Sequence, residues 1–149
     1  MAGHTFRLAS LLRLREARRD DCRLALAAAL RADERLESHL AETNLELAQL
    51  RTAGQQALQP GVLNLDQLCD QQRDAASARA RHSELERQRS ALALEIDQLR
   101  AALVEADTEV RALEKLREAG EARHAAELER AAALDLDEAA LRQVRSSAT

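Results

Sequence analysis

The sequence predicts an all-α fold in which two long helices form an antiparallel coiled-coil hairpin, with the second helix extending beyond the first. Three observations predict this fold: the composition, a single strong helix break, and a heptad repeat on each side of that break. The chain of 149 residues contains 32 alanines and 27 leucines, charged residues make up 32%, and Phe6 is the only aromatic residue. Strands favour β-branched and aromatic side chains, which are scarce here, whereas this composition is typical of long helices and coiled coils.

The helix break lies at Pro60-Gly61. Proline cannot continue a helix, and it disfavours helical geometry in the residue before it. Asn64 can cap the helix that follows, with Gln67 at the capping-box position, and Thr5 is a suitable cap for the helix that precedes. We therefore predict one coiled-coil domain over residues 1–149, with a helix at about 5–57, a turn at about 58–64 and a helix at about 65–145.

A heptad repeat of apolar residues runs along both predicted helices. Nine of thirteen repeat positions are apolar in the first helix, and eleven of fourteen are apolar in the second. A repeat sustained over about six heptads predicts a left-handed supercoil. The positions of this seam are Leu8, Leu12, Arg15, Arg19, Cys22, Leu26, Ala29, Asp33, Leu36, Leu40, Thr43, Leu47 and Leu50, and then Leu68, Gln71, Ala75, Ala78, His82, Leu85, Arg89, Leu92, Ile96, Leu99, Leu103, Ala106, Val110 and Leu113.

Folding the chain at the break brings every seam position opposite another seam position, because paired residue numbers then add up to about 121 or 122. Asp33 falls opposite Arg89, and we expect this ion pair to fix the register more than it stabilises the hairpin. Charge favours the same antiparallel arrangement, since residues 1–23 carry a net charge of +3 and residues 105–140 a net charge of −6. The residues expected beside one another at this end are Arg15, Arg19, Glu105, Asp107 and Glu109.

The predicted second helix continues for about 30 residues after Leu113, roughly 45 Å, with no counterpart in the first helix. The heptad slips after Leu113, and Gly120 weakens a helix by about 1 kcal/mol relative to alanine. Two interpretations remain open: a partly disordered tail, or a helix whose apolar face binds another protein. The apolar residues of this stretch are Leu128, Ala131, Leu134, Leu136, Leu141 and Val144.

No group of residues suited to catalysis or cofactor binding stands out in the sequence. The four glycines are scattered, the four histidines do not converge in the hairpin, and the net charge of −4 gives no preference for nucleic acid. Cys22 and Cys69 would lie roughly 45 Å apart, which excludes an intramolecular disulfide and fits a reducing cytosol. We expect a protein that is not an enzyme, with no catalytic residue, metal, cofactor, small-molecule substrate or nucleic-acid partner.

Three stretches of the sequence resemble the FliJ family of flagellar export proteins. Residues 6–16 (FRLASLLRLRE) are similar to the start of that family, and residues 110–118 (VRALEKLRE) and 134–142 (LDLDEAALR) are similar to its later part. In the family a leucine-glutamate-lysine-leucine box is followed some twenty residues later by an aspartate-glutamate pair. Leu113-Glu114-Lys115-Leu116 and Asp137-Glu138 fit this order and spacing, so the resemblance covers nearly the whole chain.

This resemblance implies a cytoplasmic component of the flagellar type III export apparatus, peripherally associated with the inner-membrane part of that apparatus. The family is an antiparallel coiled coil similar to the stalk subunit of rotary ATPases. It inserts in the hexameric export ATPase, promotes ring assembly, links the ATPase to the membrane export gate, and has been viewed as an escort for export chaperones. We expect the chain to be a monomer when alone.

The resemblance places ATPase binding at the open end of the hairpin and gate binding towards its tip, where the family carries aromatic residues that this chain lacks. Two alternatives remain open: the equivalent stalk of a virulence type III secretion system, and a self-associating structural coiled coil. The implied ATPase-binding residues are Leu8, Leu12, Arg13, Arg15, Arg19, Leu113, Glu114, Lys115, Leu116, Asp137, Glu138 and Arg142. The implied gate-binding residues are His39, Thr43, Glu46, Leu50, Leu68, Gln72 and Ala75.

Overall fold

A computed structural model describes residues 6–61 and 64–147 of the chain. They form two α-helices, α1 over Ala9–Ala57 and α2 over Leu65–Ser147, and the described residues contain no strand. The predicted fold class is confirmed: the helices pack against each other, and the second is the longer. Thr5, the predicted cap of the first helix, lies outside the described residues, as does the part of the predicted turn at residues 62 and 63.

At the turn, α1 ends with hydrogen bonds that span three residues, and α2 begins with a side-chain cap. After α1, the backbone N–H of Leu58 donates to the carbonyl oxygen of Gln55 over 3.3 Å, a three-residue bond that tightens the last turn. Pro60 and Gly61 follow within the break. At the start of α2, Asn64 Oδ1 accepts a hydrogen bond of 3.3 Å from the N–H of Gln67, as expected for an N-terminal cap.

The chain divides into two compact units. The terminal unit comprises Met1–Asp20 with Val104–Thr149, and the turn unit comprises Asp21–Leu103. In the terminal unit the buried side chains are Leu12, Ala106 and Val110, and in the turn unit they are Ala29, Thr43, Ala78 and Ile96. All seven occupy positions of the predicted heptad seam, which therefore forms the core of each unit. Among the seam positions, only Leu8 at the start of the repeat is exposed.

Two polar features of the turn-unit seam have hydrogen-bond partners, one within α1 and one between the helices. The buried hydroxyl of Thr43 donates to the carbonyl oxygen of His39 over 2.7 Å, one helical turn earlier. Arg89 donates to both carboxylate oxygens of Asp33, with 2.9 Å from Nε to Oδ1 and 3.4 Å from Nη2 to Oδ2. Glu37 Oε2 lies 3.4 Å from the same Nη2. The Asp33–Arg89 pair lies where the register predicted from the sequence places it, and its two hydrogen bonds join the helices in that register.

Candidate protein-binding surfaces

The terminal unit holds an ion-pair cluster between the start of α1 and α2. Glu109 Oε2 is shielded from solvent and lies 3.0 Å from Arg15 Nη1 and 3.5 Å from Arg18 Nη1. The sequence predicts Arg15 beside this acidic stretch, and the structure places it there. Arg19 differs, because its Nε bonds Asp20 Oδ1 on its own helix over 3.3 Å.

The ATPase-binding residues implied by the resemblance all belong to the terminal unit. They differ in accessibility, because Leu12 is only 5% exposed and packs inside the unit. It can support a binding surface but is too buried to contribute much contact area. Half-buried members of the set are Arg15, Arg19, Leu113 and Glu114, and the exposed members are Leu8, Arg13, Lys115, Leu116, Asp137, Glu138 and Arg142.

The part of α2 that follows the seam, residues 117–147 (the α2 extension), is helical to Ser147. The helical part of the second interpretation of this stretch is therefore what the structure has, and the binding of another protein by this helix stays a prediction. Glu138 and Arg142 pair one turn apart on it, 3.0 Å between Oε2 and Nη2. Five large apolar side chains of the extension are between 54% and 71% exposed: Leu128, Leu134, Leu136, Leu141 and Val144. A helix with this much exposed apolar area is suited to binding another protein.

The gate-binding residues implied by the resemblance lie in the turn unit, mostly around a groove of about 460 Å³ (the tip groove). Four of the seven line it: Leu50, Leu68, Gln72 and Ala75. The remaining lining residues are Leu47, Arg51, Gly54, Gln55, Leu58, Gln71 and Arg79.

The other three gate-binding residues have different surroundings. His39 and Thr43 line a second, shallower groove, although Thr43 is buried. Glu46 forms an ion pair with Arg81 on α2, 2.8 Å from Oε1 to Nη2.

Sequence reasoning did not single out Gly54, Gln71, Arg51 or Arg79 as parts of a surface. The heptad count treats Gln71 only as a polar exception in the seam. The available signal was that the predicted register places the polar and small seam residues of both helices close to the turn. Side-chain volumes summed over those positions would have indicated a groove.

The described residues offer little for metal or acid–base chemistry. No group of three or more His, Cys, Asp or Glu side chains among them could hold a metal ion. Hydrogen bonds from Arg87 and Gln88 lower the pKa of Glu84 from 4.5 to about 2, but this carboxylate is on the open surface of α2. Within the described part of the chain, neither helix has a stretch apolar enough and long enough to span a membrane.

The packed helices and the exposed apolar surfaces define the class of protein: an antiparallel two-helix coiled coil. The chain matches the family described as "Flagellar FliJ protein" over residues 4–149, and it belongs to that family. It is therefore a component of the flagellar protein export apparatus. No curated protein and no solved structure matches the chain.

Proposed function

We propose that this protein binds the hexameric flagellar export ATPase through its terminal unit, as a central stalk that promotes assembly of the ring. Through its turn unit it links the ATPase to the cytoplasmic domain of the membrane export gate, and it also contacts export chaperones. It acts by binding, without catalysis of its own, as a monomer in the cytoplasm. The observation that carries the proposal is the α2 extension, which presents five large apolar side chains to solvent.

Physical chemistry supports an extended helix as the ATPase contact. Burial of apolar surface contributes about 25 cal/mol per Å², and the extension offers this surface on a helix. Charges on the same unit can orient the partner, because Arg13 is exposed on α1 while Asp137 and Glu138 are exposed on α2. A single chain inside a six-fold ring cannot contact six subunits equally, so it would favour one or two interfaces of the ring over the others.

The first experiment mixes the full chain, or a chain ending after Leu116, with the purified export ATPase. Co-elution and the hydrolysis rate are measured. We expect the truncated chain to lose both binding and stimulation, because it lacks the α2 extension. Unchanged binding and stimulation would refute the proposal.

A pair of double variants makes this test specific to the apolar surface. Leu134→Glu with Leu141→Glu removes two side chains of the extension that are each 64% exposed. The matched control is Leu45→Glu with Leu94→Glu, at 61% and 68% exposure in the turn unit. We expect the first variant to weaken ATPase binding and the control to leave it unchanged. Equal loss in both would show that the effect comes from charge or solubility.

Gate binding has its own test, in which the cytoplasmic domain of the export gate is titrated with Leu50→Ala. Leu50 lines the tip groove, whereas Leu45 lies away from it and provides the matched substitution Leu45→Ala. We expect only Leu50→Ala to weaken gate binding. A normal affinity in both variants would exclude the tip groove as the gate contact while leaving ATPase binding unaffected.

Self-association is the remaining alternative class, because exposed leucines can also pair with a second copy of the chain. Light scattering at micromolar concentration decides between the two. We expect a mass close to the 16.5 kDa of one chain. A stable dimer that dissociates in Leu134→Glu with Leu141→Glu would identify the α2 extension as a self-association surface instead.

A further inference from the structure

The seam of the turn unit changes character towards the turn. The Asp33–Arg89 pair marks the register, so the seam residues on its turn side pair in sequence. Both side chains of the Thr43–Ala78 layer are buried, at 7% and 0% exposure. The three layers beyond it each contain a small or polar residue: Leu47–Ala75, Leu50–Gln71 and Gly54–Leu68. In the described residues beyond Thr43 and Ala78 on the turn side, no side chain is fully buried.

The tip groove is the space that these small residues leave between the helices. Its volume of about 460 Å³ lies beside Leu47, Leu50 and Leu68, which keep part of their apolar surface in contact with solvent. Gly54 adds to the space, since a Cβ atom built on it would have only Gln71 Oε1 nearby, at 4.0 Å. The side chains that border the groove therefore contact solvent on this side instead of one another, and lose the dispersion contacts of a closed seam.

Gln71 adds an unfavourable polar group to the same layer. Its Oε1 is shielded from solvent and has no hydrogen-bond partner among the described residues. A buried oxygen without a partner carries a desolvation cost, which disappears as soon as water reaches it. Gln71 Oε1 therefore destabilises the closed arrangement of these layers, because separation of the helices would let water bind it.

Within the described part of the chain, the lining of the groove offers no ion pair that would hold the helices together. Arg51 on α1 and Arg79 on α2 both line it, and neither has an acidic partner among the described residues. Farther from the turn, by contrast, Arg89 is held by Asp33 and Glu37 together.

We propose that the tip segment, residues 47–57 of α1 with 65–75 of α2, opens and closes as a local two-state element. The buried Thr43–Ala78 layer and the Glu46–Arg81 ion pair stay formed and mark the limit of the opening. In the open state water satisfies Gln71, and Leu47, Leu50 and Leu68 become available. A gate partner that binds the open state would shift the equilibrium towards that state. This consequence rests on the proposed function, but the opening itself does not.

Hydrogen exchange of the full chain, followed by mass spectrometry or NMR, tests the opening. We expect amides of residues 48–57 and 66–75 to exchange about 10-fold or more faster than those of residues 24–36 and 85–99, because a short helix separated from its partner is only marginally stable in water. The rates should be similar within the tip segment on both helices and should rise together in low denaturant, because the opening exposes apolar surface. A rate that falls steadily with distance from the turn would indicate simple fraying and would overturn the proposal, as would equal protection throughout the unit.

Substitution of Gln71 separates this mechanism from general stabilisation. Gln71→Leu removes the unsatisfied oxygen and adds apolar volume to the groove, so we expect tip exchange to slow about 10-fold on both helices. Exchange at residues 24–36 should not change. Gln49→Leu makes the same chemical change at an exposed position outside the groove, and it should leave the tip rates unaltered. Equal slowing in both variants, or no slowing in Gln71→Leu, would contradict the proposal.

Gly54→Ala is an independent test, because it leaves Gln71 in place. The groove has room for the added methyl group, and alanine favours the helix over glycine, so tip exchange should slow about 5-fold. A faster exchange in this variant would show that the groove is already filled, contrary to the proposal.

Discussion

Two regions of α2 within the terminal unit have similar apolar residues but opposite surroundings. Ala106 and Val110 are completely buried, whereas Leu134 and Leu141, farther along the same helix, are each 64% exposed. Because α1 begins at Ala9, the first region lies beside a partner helix, and its heptad positions face that helix. The comparison shows that an apolar residue in a coiled-coil sequence is informative only together with its phase and its partner.

The largest expected effect comes from a charge placed in the buried region. Val110→Asp buries a carboxylate where no side-chain surface is exposed, so we expect the free energy of unfolding to fall by about 3 kcal/mol or more. Leu136→Asp, at a position that is 71% exposed, should change it by less than about 0.5 kcal/mol. Thermal unfolding followed by circular dichroism measures both. Similar losses in the two variants would mean that the α2 extension is packed in solution.

A smaller effect is expected from the polar layer of the turn unit. Asp33→Ala should lower the unfolding midpoint less than Val110→Asp, because Arg89 keeps Glu37 as a partner. Asp33→Leu with Arg89→Leu should restore or exceed the original midpoint, since apolar replacement of an ion pair in a seam is often neutral or stabilising. Disulfide crosslinks engineered across the seam report the register. If the ion pair fixes the register, the double variant should form crosslinks in more than one register, whereas the original protein should form them in one. One crosslinking pattern in both proteins would contradict a register role.

Gly120→Ala changes the helix propensity of α2 between the buried region and the exposed region. Gly120 lies within α2 in the terminal unit, where an alanine favours the helix over glycine. Alanine should stabilise the helix locally by about 1 kcal/mol. Hydrogen exchange at residues 117–128 should therefore slow about 5-fold, with ATPase binding retained. Ala119→Gly at the neighbouring exposed position is the matched reverse change, and it should speed exchange by a similar factor.

The smallest effect concerns pH and a surface carboxylate. Hydrogen bonds from Arg87 and Gln88 lower the pKa of Glu84 from 4.5 to about 2. A lowered pKa in the folded state means that this stabilisation is present above pH 4.5 and is lost as the pH falls towards about 2. Arg87→Ala should lower the unfolding midpoint slightly at pH 7, and the difference from the original protein should vanish near pH 2. A difference that stays constant over this range would assign the effect to helix propensity.

The sequence was sufficient to predict the two helices, the break between them and the seam, because heptad periodicity and proline act locally. From Leu68 to Leu113, every predicted seam position of α2 is at least half-buried. Other contacts depend on choices among several nearby partners, and Arg19 bonds Asp20 instead of α2 for that reason. The tip groove depends on volumes summed over both helices, which no single motif records. The choice of exposed leucines that bind a partner depends on the partner.

The position of the break also determines the order in which α1 and α2 can join during folding. Glu46 and Arg81 are separated by 35 residues along the chain, and Asp33 and Arg89 by 56. Loop-closure entropy favours the contact with the shorter separation, and the nearby Thr43–Ala78 layer has both side chains buried, at 7% and 0% exposure. Pairing of the helices should therefore start at this layer and proceed away from the turn, and substitutions at Ala78 should slow folding more than substitutions at Ile96.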